Sequence, residues 1–173
     1  PSTSNSTNRT LYGMNRKKFF GLLDGMSSGD ILQVQKAYWL SKNAHRVQAP
    51  RDTGERYFEH PRQVAILLVE HGYKDKDIIT KALLHDVVED TNTPVQVIVD
   101  MFGHDIWQSL FNLSKVIPVF DPVTGQISGR HKKSAEDYYG QLAQAPKSDQ
   151  LVKLADRLHN IRSMKVWDKE RQV

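Results

Sequence analysis

Between about residue 30 and residue 163 the apolar side chains recur mostly every three or four positions, a spacing that puts them on one face of a helix. Such a chain buries its apolar surface by packing helix on helix. Ile31, Val34, Ala37, Tyr38 and Leu40 predict a helix from Asp30 to about Arg46, with Asp30 as its N-cap. Residues 48–60, QAPRDTGERYFEH, are rich in turn formers and lead into Pro61, which suits a first helical position, so a second helix is expected from there to about Glu70. After His71, Gly72 and Tyr73, a cap at Asp75 or Asp77 opens a longer apolar helix from Ile78 to about Glu89. Thr93, Pro94 and Gln96 read as a capping box whose helix ends near Gly103, and another helix follows from about Asp105 to Lys115. Helical spacing resumes from about Lys132 to Ala143, stops at Pro146 and restarts after Ser148. With no internal repeat and no βαβ pattern, the expectation is an all-α fold. One interruption stands out: residues 116–130 carry two prolines and two glycines, and Val119, Thr124 and Ile127 alternate as in a small hairpin or a loop.

The 173 residues, 39% hydrophobic and 25% charged, suit one hydrophobic core. Residues 1–10, PSTSNSTNRT, have nothing to bury and read as a frayed tail. Residues 1–29 are therefore expected to be a flexible tail and lead-in, and residues 30–173 the domain. No apolar run approaches the roughly 20 residues of a membrane span, and no apolar signal stretch opens the chain, so a soluble, cytoplasmic protein without a membrane partner is expected. The absence of Cys excludes disulfides, thiolate metal sites and Cys nucleophiles; any metal must be held by imidazole and carboxylate. The net charge of +4 is concentrated N-terminally, with nine Lys/Arg against five Asp/Glu in residues 1–60. No dense basic stripe interleaved with aromatics accompanies it, so no nucleic-acid partner is expected.

Chemistry concentrates in HDVVEDT, residues 85–91, where four ionisable side chains interrupt an otherwise apolar helix. At about 100° per residue, His85, Asp86, Glu89 and Asp90 fit within an arc of roughly 140°, facing one site. A cation there would offset the repulsion among the acids. The alternative is a helix C-terminus with exposed acids. In LADRLHN, Asp156, His159, Asn160 and Ser163 form a polar stripe, and Asp156 could complete a metal shell; the alternative is a solvated face with Asp156 paired to Lys153 or Arg157. His60, beside Pro61, is a third contributor, and His159 reads as a supporting residue. His45, His71, His104 and His131 have no such company and read as surface or capping residues, and Lys132 and Lys133 as a solvated charge run.

His60, the adjacent pair His85 and Asp86, and Asp156 resemble the H, HD, D ligand pattern of the HD metal-dependent phosphohydrolase superfamily. The longer strings RDTGERYFEHP (51–61), ALLHDVVEDT (82–91), FG (102–103) and LVKLADRLHN (151–160) are similar to the hydrolase domain of the RelA/SpoT family. GQLAQAP resembles its small single-domain members, the metazoan SpoT homologue among them. The likeness spans about residues 30–168.

The resemblance implies an HD-domain helical bundle around one metal site and hydrolysis of the 3′-pyrophosphate of ppGpp and pppGpp to GDP or GTP. Manganese is the implied metal, with zinc or another divalent ion as alternatives, and no obligate partner protein is implied. Carried over, His60, His85, Asp86 and Asp156 would bind the metal. Glu89 and Asp90 would orient or deprotonate water, Glu89 being the better placed geometrically. Arg51 would pack on guanine, and Asn160 and Ser163 would contact the nucleoside. Asp52, where a lysine often follows that arginine, weakens the electrostatic case for a polyphosphate, and the bland reading of Arg51 pairs it with Asp52 or Glu55. The family's hydrolase domain usually continues with more helices, which implies truncation at the C-terminus. Two other readings remain: a phosphohydrolase acting on another nucleotide such as NADPH, and a catalytically idle nucleotide-binding module.

Overall fold

The computed structural model describes residues 15–52 and 54–163, and the tail at residues 1–10 lies outside that range. The architecture is mostly helical, as expected. After a helical stretch over residues 15–21 come α1 (Ser28–Ala44), α2 (Glu59–Glu70), α3 (Lys76–Leu84), α4 (Val87–Asp90), α5 (Val95–Phe102) and α6 (His104–Leu113). The strands β1 (Val116–Phe120) and β2 (Ile127–Lys132), then α7 (Ala135–Gln144) and α8 (Lys147–Ser163), complete the order.

The caps correct several expected boundaries. Ser27, not Asp30, caps α1: its hydroxyl accepts the Asp30 N–H at 3.1 Å, which places Asp30 in the first turn. α2 starts at Glu59, so Pro61 lies within the first turn, where its missing N–H costs nothing, and His60 is already helical. Asp75 caps α3 by accepting from the N–H groups of Asp77 and Ile78 at 2.9 and 3.0 Å. The single helix expected through Glu89 is broken: α3 ends at Leu84, Asp86 sits at φ −93° and ψ −7°, and α4 restarts at Val87. Thr93 makes no capping box, since Pro94 occupies the N-cap of α5 and the Thr93 hydroxyl pairs with that of Thr91 at 2.8 Å. Gly103 ends α5 at φ +87°, a conformation that favours glycine.

The stretch after α6 resolves to the hairpin rather than a loop: β1 and β2 pair antiparallel, Val116 opposite Lys132 and Val119 opposite Gly129. That pairing claims Lys132, which had been expected to open a helix; α7 instead begins after Ser134, whose hydroxyl accepts the Asp137 N–H at 3.0 Å. Lys133 is also no solvated charge. It is buried, and its ammonium donates to Phe111 O and Gln141 Oε1 at 2.8 and 3.0 Å.

Helix α3 is the central element, packed on α1, α2, α6 and α8. Its Ile79, Ala82, Leu83 and Leu84 are wholly buried, together with Val64 and Ala65 of α2 and Val152 of α8. The core extends back to Phe19 and Leu23, and the Phe19 ring stacks on Tyr38. Truncating one such buried leucine costs about 2–5 kcal/mol. A buried ion pair fixes the register of α3 against α8. Lys81 of α3 reaches Asp149 of α8 at 2.9 Å, where Asn112 of α6 donates to the other carboxylate oxygen at 3.0 Å. Glu59 and Arg62 pair within α2. No helix among the described residues is long and apolar enough to cross a membrane.

Candidate metal centre

Because α2, α3 and α8 pack on one another, the first turn of α2, the junction of α3 with α4 and the middle of α8 meet at one point. His60 Nε2 lies 3.1 Å from Asp156 Oδ1 and 3.6 Å from Asp86 Oδ2. His85 Nε2 lies 3.1 Å from Asp86 Oδ1 and 3.7 Å from Asp156 Oδ1. Ligand atoms of His60, His85 and Asp86 fall within 4.8 Å of one another, a spacing that can hold a metal ion. Asp156 presents Oδ1 to both imidazoles, while its Oδ2 takes a hydrogen bond from the buried Lys153 ammonium at 2.8 Å. The sequence offered a metal shell or a Lys153 pair as alternatives for this acid; its two oxygens face both ways, and at 5% exposure it is not on a solvated face.

The outer nitrogens are held. His85 Nδ1 donates to Ala82 O at 2.8 Å, and His60 Nδ1 shares a 2.8 Å hydrogen bond with His159 Nδ1. Both rings therefore aim Nε2 at the acids. His85 Nε2 is buried and has no hydrogen-bond partner despite its nearness to two carboxylates. An orphaned buried polar atom of this kind costs about 1–3 kcal/mol. A divalent cation accepting lone pairs from both imidazoles and the acids removes the defect, so the residues present fit such an ion.

The electrostatics agree. Burial holds His60 below its ordinary pKa, against the pull of Asp156. Burial also opposes charge on His85, but the nearby charges of Asp86 and Asp156 outweigh it and raise the pKa. Asp156 would be raised by burial, yet the hydrogen bond from His60 and the charges of His85 and Lys153 hold it well below the usual carboxylate range. The same histidines lower Asp86 against its burial.

Around this cluster, half-buried Glu89 accepts the Lys115 N–H at 3.0 Å, which ties α4 to the start of the hairpin. Asp90 is exposed and accepts from the Tyr57 hydroxyl, which also lies 3.3 Å from Asp86 Oδ2. Although the residue as a whole is exposed, partial burial of its carboxyl group against the cluster raises the Asp90 pKa, the Tyr57 hydrogen bond opposes that, and the charges of Asp86 and Glu89 add to it. Arg51 Nη2 donates to Asn160 Oδ1 at 2.7 Å, and Asn160 Nδ2 donates to Asp156 Oδ1 at 2.7 Å, so the loop after α1 is linked directly to the cluster. The Arg51 side chain thus meets Asn160, and its N–H bonds the Glu55 carbonyl at 2.9 Å. Ser163, the last residue of α8, turns its hydroxyl onto its own helix at His159 O, 2.9 Å away.

Sequence reasoning passed over Tyr57 and treated Lys153 only as an alternative partner. The clue for Tyr57 was its place three residues before His60, one turn back from a helix that starts earlier than Pro61. His45 takes the capping role, not the surface one. It caps α1 but is buried, with its ring stacked on Tyr57 at 4.8 Å between centroids.

A helical bundle with an H, HD, D cluster at the meeting of three helices defines the HD-domain class. The HD domain family model matches residues 37–173, and the chain belongs to that family. It is 34% identical over 143 residues to the guanosine-3′,5′-bis(diphosphate) 3′-pyrophosphohydrolase of Aquifex aeolicus (strain VF5), covering 81% of this chain and 19% of that protein. To the bifunctional (p)ppGpp synthase/hydrolase SpoT of Escherichia coli (strain K12) it is 33% identical over 138 residues, covering 78% of this chain and 18% of the other. The chain thus spans about a fifth of the length of these curated relatives. A solved structure, described as a metazoan ortholog of SpoT that hydrolyzes ppGpp and plays a role in starvation responses, shares the fold. Its TM-score is 0.63 at 24% identity, over 81% of this chain and 77% of that one.

Proposed function

We propose that the chain is a metal-dependent (p)ppGpp 3′-pyrophosphohydrolase, and that His60, His85, Asp86 and Asp156 hold its divalent ion, manganese. The observation that supports this most is the convergence of two inward Nε2 atoms, one without a hydrogen-bond partner, on two buried carboxylates. It occurs in a chain whose relatives are named for this reaction. When bound, the ion supplies Lewis acidity toward a phosphate oxygen and lowers the pKa of water.

The chain's own residues would do the rest. Glu89 and Asp90, one turn or less beyond Asp86, would orient the attacking water and take its proton. The raised pKa of Asp90 brings it nearer the operating pH that suits a general base. Water oxygen bonds to phosphorus, the bond from that phosphorus to the ribose 3′ oxygen breaks, and the 3′ oxygen leaves as a hydroxyl after gaining a proton. Arg51 would lay its planar cation on the guanine, positioned by Asn160, and Ser163 would reach the nucleoside by rotating off His159 O.

The test is incubation with ppGpp and manganese, measuring GDP and pyrophosphate, with NADPH as a parallel substrate. Equal amounts of GDP and pyrophosphate are expected. Faster phosphate release from NADPH, or manganese bound without turnover of either, refutes the assignment.

A further inference from the structure

The β1–β2 hairpin takes no part in the proposed chemistry, yet it grips the turn that carries both water-handling acids. Helix α4 is only four residues long, and the side chain of its N-cap, Asp86, makes no capping hydrogen bond and faces the histidines instead. A single turn does not hold itself. Helix formation begins with an unfavourable nucleus, and the last carbonyls of any helix have no partner inside it, so groups from outside must supply them.

Three sources do so here. Val87 O accepts from the Thr91 N–H at 3.1 Å and from the Thr91 hydroxyl at 2.7 Å, and Asp90 O accepts from Gln48 Nε2, in the loop after α1, at 3.1 Å. The third is Arg130, half-buried in β2 opposite Pro118 of β1. Its Nε donates to Val88 O at 3.3 Å, its Nη2 donates to Thr91 O, and the same nitrogen lies 3.4 Å from Asn92 Oδ1. One rigid fork thus spans the end of the turn, which the single ammonium of a lysine cannot do. At the root of the hairpin the Lys115 N–H donates to Glu89 Oε2 at 3.0 Å, and β1 packs on α4. The hairpin therefore holds α4 twice, by its backbone and by the Glu89 carboxylate.

We propose that Arg130 is a positioning residue for the hydrolysis: it fixes the α4 turn so that Glu89 and Asp90 face the water beside the metal. The proposal rests on the reading that these two acids handle that water. None of the Arg130 hydrogen bonds goes to a residue of the metal cluster, so its loss should act on the rate and not on the ion.

The test compares wild type with Arg130→Met and Arg130→Lys by ppGpp turnover with manganese, elemental analysis and amide hydrogen exchange. Arg130→Met should lose about ten- to a hundredfold in kcat, the scale of a small misplacement of reacting groups, with KM and bound manganese unchanged. The Asp90 and Thr91 amides, which bond Asp86 O and Val87 O, should exchange faster, while those of α1 and α2 keep their protection and report an intact fold. Arg130→Lys keeps the charge without the fork and should recover only part of the loss. In a Glu89→Gln background Arg130→Met should cost less than it does alone, because an acid it positions is already gone, whereas a general loss of stability would add in full. Wild-type kcat in Arg130→Met, a loss carried by KM or by the metal, full additivity with Glu89→Gln, or unaltered exchange at Asp90 and Thr91 overturns the proposal. A wild type that leaves ppGpp untouched overturns the assigned function instead, and exchange then decides alone whether Arg130 holds α4.

Discussion

Lys153→Met is the most informative single change. The side chains are similar in length, so the substitution removes a charge from a buried place without opening a large cavity. Lys153 and Asp156 are 8% and 7% exposed at their side chains, and their 2.8 Å contact is the one that satisfies Asp156 Oδ2. Removing one partner of a buried pair costs about 3–5 kcal/mol, because the remaining charge is left uncompensated. Asn160 and His60 still contact Oδ1, at 2.7 and 3.1 Å, which puts the expected loss near the lower figure.

For a domain of this length about 3 kcal/mol corresponds to roughly 6–12 °C in Tm. The measurement is thermal unfolding in EDTA of wild type, Lys153→Met, Asp156→Asn and the double variant. Each single change strands one buried charge, whereas the double change strands none. The double variant should therefore unfold above the sum of the two losses, with a coupling energy of about 1–3 kcal/mol. Manganese should close part of the Lys153→Met gap by giving Asp156 a second cation, and should do nothing for Asp156→Asn. Additive losses, or a Lys153→Met melting point within 2 °C of wild type, would refute the reasoning.

Other expectations concern chemistry and pH. His85→Ala and Asp86→Ala should lose bound metal, read by elemental analysis, and with it ppGpp turnover; Glu89→Gln should keep the metal and lose about 10²–10⁴ in kcat, the range for a removed general base. A metal-free Glu89→Gln protein would contradict its role with water. Tyr57→Phe should move the acid limb of the pH–rate profile upward, because the phenol's hydrogen bond holds the Asp90 pKa down. An unmoved limb would separate Asp90 from the rate.

His159 is depressed to about 4 by burial, then by the charges of His60 and Arg51. The unfolded chain therefore takes up its proton first as pH falls below about 6.5, and the native state loses stability between there and about 4. Above that window the group has no effect. Melting points of metal-free protein across pH 4–8 should fall on the acid side, and less steeply in His159→Gln.

Much of this molecule was legible as periodicity. Residues that cap or break a helix act through bonds to their immediate neighbours, so α1, α2, α5, α6 and α8 could be placed to within a few residues, and the H, HD and D strings could be picked out as a set. Where boundaries slipped, a nearby competitor won: the Ser27 hydroxyl over the Asp30 carboxylate, and the ladder pairing Val116 with Lys132 over the helical spacing that began there.

The sequence by itself determined the helical class, imidazole and carboxylate as the candidate ligands, and the identity of the residues that meet. Only packing decided that Asp156 would divide its oxygens between Lys153 and the histidines, that Tyr57 would reach across to Asp90, and that His85 would be left with a buried nitrogen facing acids. Apart from the Lys153 contact, three positions away, those facts join residues 33 to 96 positions apart or depend on water being excluded from a space three helices enclose. Neither a distant partner nor a missing solvent molecule leaves any periodic trace in the chain.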